Sequence, residues 1–124
     1  WVMANPSVAN QTQLDRTLRR CRSFTARLGG HHMTIVNAFA FVSQDPAGML
    51  SADDPVGPLN DTTIQRAVTR EGVIHVVCGW GVLGAHRGRN KALMEMLMGK
   101  LSCLGTTKEG HPRHPLYVKG DTPN

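Results

Sequence analysis

Cysteines, carboxylates and aromatic residues are all scarce in this chain, and each scarcity closes off a class of protein. The three cysteines, Cys21, Cys78 and Cys103, are far apart, odd in number and form no CxxC pair. That argues against a disulfide framework and a cysteine-built zinc site. It fits buried free thiols in a reducing compartment, so a cytoplasmic setting is expected. There is no HExxH pattern, and neither a metal nor any other cofactor is expected. There is no glycine-rich phosphate loop of the Walker or dinucleotide type, and no Ser or Cys in a nucleophile elbow. No apolar run approaches the roughly 18 residues that span a bilayer, so no membrane partner is expected. Internal repeats and low-complexity tracts are missing too.

What is present suits one globular domain over residues 1–124, with 40% hydrophobic and 19% charged residues. Lys and Arg number 14 against 9 Asp and Glu, a net charge of +5. That balance mildly favours anionic partners, among them a nucleotide, a nucleobase or DNA.

The pattern along the chain alternates strand and helix. Trp1–Ala4 is an apolar run stopped by Asn5-Pro6-Ser7, which reads as the end of a buried strand. A helix is expected from about Gln13 to Leu28, with Leu14, Leu18, Cys21, Thr25 and Leu28 inward and Arg16, Arg20 and Arg27 on the opposite face. That arginine face is either a solvated surface or a phosphate-facing one. Met33–Phe41 reads as a second buried strand, interrupted by Asn37. A loop follows, with one helical turn after Pro46. Asn60 then looks like the N-cap of a helix to about Arg70, with Ile64, Ala67 and Val68 inward. Val73–Cys78 is the clearest strand and ends at Gly79-Trp80-Gly81. A helix over Asn90–Met98 and a short strand over Leu101–Leu104 complete the order. Such alternation predicts an α/β three-layer sandwich around a short, mostly parallel four-stranded sheet.

In open α/β sheets, ligands bind outside the carboxyl ends of the strands. The sharp polar motifs lie there: Asn5-Pro6-Ser7, Asn37, Gly79-Trp80-Gly81 and, after the last strand, Gly110-His-Pro-Arg-His-Pro115. Asn5 can orient a water or bind a base edge, or simply start an Asn-Pro turn. Asn37 either closes a backbone gap or faces a ligand. His111 and His114, fixed by Pro112 and Pro115, can donate to a developing anion, and Arg113 can fork onto phosphate beside Lys108. The alternative is a rigid, exposed basic loop. Trp80 is either a stacking platform for a base or a core aromatic. Asp15 and Asp61 have a plain helix-dipole role, and Asp15 is also within sequence reach of the first loop. His31-His32 reads as a solvated turn, and His75 as a strand residue with a partner.

Taken together, ANPSVANQTQLDRTLRRC, VNAFAF with the following QDP, DDPVGPLNDTTI, CGWG and LGTTKEGHPRHPLYV resemble the family called domain of unknown function 1643, from Trp1 to about Val118. The order of motifs is also similar, more distantly, to the uracil-DNA glycosylase superfamily. That resemblance implies its fold, with a nucleobase or nucleotide as ligand. It implies that Asn5 positions a water, with Pro6 and Ser7 beside it in contact with the substrate, that Asn37 reads the base edge, and that Trp80-Gly81 ends the third strand. It also implies that His111 or His114 steadies the departing base, with Phe39 or Phe41 as the stacking aromatic. The last motif here reads His-Pro-Arg-His-Pro where the superfamily carries His-Pro-Ser-Pro. The other reading is a non-catalytic nucleic-acid- or protein-binding module of the same fold.

Overall fold

The computed structural model describes residues 1–6, 11–42 and 46–119. Its sheet contains β1 (Val2–Met3), β2 (Val36–Asn37), β3 (Val76–Cys78) and β4 (Leu101–Cys103) in the order β2-β1-β3-β4. All three strand pairings are parallel. The helices are α1 (Gln11–Arg27), α2 (Pro46–Ser51), α3 (Asn60–Thr69) and α4 (Arg89–Met96). Short 3-10 segments cover Val82–Gly88 and Pro115–Tyr117. No helix among the described residues is long and apolar enough to cross a membrane.

The strands are shorter than the apolar runs that announce them. Beyond β1 and β2 the backbone bonds continue, with Ala38 N donating to Met3 O and Phe39 N to Ala4 O. On β3 the run begins late. Val73, Ile74 and His75 are exposed and precede the ladder, and Val73 N turns back to Arg70 O. His75 therefore lies just before the strand and not in it. A parallel ladder forms only where neighbours run alongside, and β1 and β4 offer only two or three residues.

Side chains alternate across the sheet. Val76 and Cys78 join the larger core with Met49 of α2, Ile64 of α3, and Leu93 and Leu97. Val77 points the other way, to Phe24 of α1, Leu104 and Val118. Apolar clusters thus cover both faces. Each fully buried large side chain contributes about 1.5–3 kcal/mol.

Two helix expectations need correction. In α1 the buried residues are Thr17, Cys21 and Phe24, while Leu14 is 39% exposed. Arg20 leaves the solvent face and donates to Val118 O at 2.6 Å. Asn60 is not the cap of α3. That position belongs to Leu59, and the Asn60 amide donates instead to Asn37 O and Ala38 O.

Because every strand runs the same way, all four carboxyl ends share one edge. The chain passes outward from β1 to β2, then crosses to β3 and β4 on the other side. The topological switch therefore lies between the loops after β1 and β3.

Candidate functional site

The register builds a row across three strands at this edge. Met3 pairs with Asn37, and Gly79 N donates to Val2 O at 2.8 Å, which sets Gly79 beside Met3. Asn37, Met3 and Gly79 alternate with Val36, Val2 and Cys78 of the larger core, so they face the α1 side. With adjacent strands about 4.8 Å apart, Asn37 and Gly79 stand about 10 Å apart. Over Gly79 lies the His-Pro-Arg-His-Pro segment. A Cβ on this glycine would be 3.1 Å from Pro115 Cδ and 3.6 Å from Arg113 O. The fold therefore places Asn37 and this segment on one face, with Met3 between them.

The segment is a hairpin closed by its own backbone. Thr106 and Pro112 form an antiparallel bridge, Arg113 N donates to Gly105 O, and Thr107 N donates to His111 O. Gly81, at a φ of 61° that favours glycine, donates its N–H to Pro112 O at 2.9 Å. The end of β3 thus clamps the hairpin. Lys108 is exposed at the hairpin's turn, and exposed Arg113 donates through Nε to Thr106 O. His111 is half-buried, and its N–H reaches Thr107 Oγ1. His114 Nδ1 accepts from Leu116 N at 3.2 Å, which puts the neutral ring's proton on Nε2. Burial pushes the His114 pKa down, so the ring stays neutral at physiological pH.

Asn5 follows β1, half-buried, and its amide donates to Pro6 O at 3.3 Å. Ser7 lies outside the described residues, as does Asp45. Asp15 is exposed on α1 and accepts from Gln11 at 2.9 Å, a bond along the helix surface.

Phe39 and Trp80 are not where a stacking platform would need them. They are 0% and 2% exposed, deep in the larger core. Trp80 follows Gly79 by one residue, so alternation sends it to the face opposite the hairpin. Gly84 lies so close over its ring that a Cβ there would come within 2.1 Å of Cδ1. The Phe39 ring lies 5.7 Å from that of His86. Phe41, 39% exposed, is the aromatic after β2 that meets solvent.

Three residues at this edge were not singled out for the site from sequence. Arg89 is 6% exposed, donates from Nε to Ala38 O at 2.8 Å and pairs with Asp61 at 2.6 Å. With Asn60 it holds the carbonyls that end β2. A guanidinium tolerates this depth because Nε donates to a carbonyl and Nη2 is ion-paired with Asp61. The available signal was the adjacency of Asn60 and Asp61, read as helix-start chemistry, and the basic run His86-Arg87-Gly88-Arg89.

A cavity of about 500 Å³ opens at the other end of the sheet, between Thr25, Gly29, Met33, Val73 and Val76. It shares no residue with the four strand-end motifs, and its rim also carries His31, His32, Arg70, Glu71 and His75.

Comparison with curated proteins and with solved structures returns no match. A family model described as "Protein of unknown function (DUF1643)" matches residues 1–116, a span that includes Asn5, Asn37, Trp80 and the hairpin as far as Leu116. The chain belongs to the DUF1643 family.

Proposed function

We propose that the carboxyl edge of the sheet recognises a nucleobase or nucleotide and processes it by N-glycosidic chemistry, on a fold like that of the uracil-DNA glycosylases. The observation that carries this reading is the shared face of Asn37 and the His-Pro-Arg-His-Pro hairpin, which covers Gly79 two strands away from Asn37. The Asn37 side chain offers a donor and an acceptor to a base edge. A neutral His114 offers an Nε2–H, and His111 a second imidazole, to a base departing as an anion. Asn5 orients the attacking water, and because an amide cannot take its proton, catalysis relies on stabilising the leaving base. Lys108 and Arg113 supply the phosphate contacts. A base within DNA must first be flipped out of the stack.

The test is release of free base from nucleosides, nucleotides and DNA carrying modified and unmodified bases, comparing wild type with Asn5→Ala, Asn37→Ala and His111→Ala. Loss of about tenfold or more on each substitution is expected. Turnover that survives both Asn5→Ala and His111→Ala would sink the assignment.

A second reading, a binding module without chemistry, is favoured by the burial of Phe39 and Trp80, which leaves no exposed aromatic at either position to clamp a base. It predicts binding without turnover and a steep loss of affinity as salt rises.

A further inference from the structure

Arg16, Arg19 and Arg20 project from α1 into a cleft of about 280 Å³ whose other wall is Leu116. Leu116 stands two residues past His114, so the cleft adjoins the hairpin. Arg20 is fixed before any ligand arrives, through its 2.6 Å bond to Val118 O. Arg16 and Arg19 are exposed and have no hydrogen-bond or ion-pair partner among the described residues. The neighbouring carboxylate, Asp15, is engaged by Gln11 instead. Three like charges around one concavity, with no paired carboxylate, repel each other and attract an anion. Guanidinium forks match phosphate oxygens two at a time.

Position distinguishes among phosphorylated ligands. α1 begins near the carboxyl edge, where the loop from β1 enters it, and runs back along the sheet. At 1.5 Å per residue, Arg16 and Arg20 lie about 7.5 and 13 Å along the axis from Gln11. The two are thus about 6 Å apart along the axis, about two stacked nucleotides at roughly 3.4 Å each. A single phosphate meets one end of that span, whereas a strand presents successive phosphates along it.

We infer that the arginine cleft is a sugar-phosphate backbone site, and that the ligand is a polynucleotide rather than a free nucleoside or mononucleotide. The direction of the strand rests on the nucleobase reading above. The cleft's affinity for a backbone does not.

The experiment is fluorescence anisotropy with a labelled single-stranded DNA oligonucleotide across a salt series. Arg16→Ala/Arg19→Ala is expected to weaken binding about tenfold and to flatten the log–log salt slope by about 1.4, at roughly 0.7 per lost phosphate contact. Arg66→Ala/Arg70→Ala removes the same charge from exposed residues 66 and 70 and is expected to change both far less. Equal losses in the two double variants overturn the inference, and so does no loss in the first. Nucleoside monophosphate or inorganic phosphate binding as tightly as the oligonucleotide overturns it too, as does binding confined to anionic lipid vesicles. If Asn37→Ala and His111→Ala leave base release and oligonucleotide binding untouched while the arginine variant still weakens binding, the base site fails and the cleft stands. The reverse pattern removes the cleft alone.

Discussion

A side-chain carbon on Gly79 would stand 3.1 Å from Pro115 Cδ and 3.2 Å from Met3 Sδ, so the hairpin lies directly on the bare end of β3. The missing side chain sets how closely His114 and Arg113 approach the row that ends in Asn37. Gly79→Ala is expected to shift Pro115 slightly, and Gly79→Val to lift the hairpin. The valine variant should lose about 1–3 kcal/mol of stability and bind nucleobase ligands more weakly than the alanine variant. Urea denaturation and ligand titration read both effects. Unchanged midpoint and binding in Gly79→Val would contradict this close approach.

Arg89 and Asp61 form an unequal pair, 6% and 58% exposed in their side chains. Solvent screens the Asp61 end, so Asp61→Asn is expected to cost only about 0.5–1 kcal/mol. Arg89→Met also strips the donor from Ala38 O and is expected to cost about 2–3 kcal/mol. The double variant should cost less than the sum, because its partners share one network. Strict additivity in a denaturation cycle would show that the two side chains do not act together.

These examples show what the sequence makes legible. Alternation of apolar runs with helical spacing exposes the parallel α/β plan, since β-ladders and helices have different periods. Strand-end motifs expose the edge where polar groups gather, because polar residues there must leave the core. The orientation of single residues is less legible. Trp80 between two glycines looks the same whether it faces a ligand or the core, and only the register beside Gly79 decides it. Asn60 has the composition of an N-cap, yet its amide is drawn one strand away to Asn37 O. Arg89 reads as a surface charge until a carbonyl and a carboxylate 51 and 28 residues away bring it inside. Long-range hydrogen bonds of this kind leave no local pattern.

The thiols should react in a definite order. Burial pushes Cys21 up to about 11 and, with nearby Cys103, pushes Cys78 up to about 12. Cys78 also donates to Ser102 O at 3.1 Å. The thiolate is the reactive form, so both should resist alkylation near neutral pH. Half-buried Cys103 should be carboxamidomethylated first by iodoacetamide, and all three should react once the chain is denatured. Mass spectrometry of timed digests gives the order, and early modification of Cys78 would contradict it.

His114 should make stability depend on pH in one direction. Its Nδ1 accepts the Leu116 N–H that starts the final 3-10 turn, and burial holds its folded-state pKa below the ordinary 6.5. As pH falls, the unfolded chain therefore takes up this proton before the folded one does. The contribution is complete above about pH 6.5 and is lost as pH descends through the folded-state value. Protonation of Nδ1 also removes the acceptor for Leu116. His114→Asn keeps a side-chain oxygen that can cap the turn but does not titrate. Wild type and variant should have similar urea midpoints near pH 7.5, and the wild-type midpoint should fall more steeply toward about pH 5. The other five histidines are common to both proteins, so the difference between the two curves isolates this residue. Parallel curves would mean that His114 does not couple its charge to the hairpin, and its neutral Nε2–H could then not be assigned to the departing base.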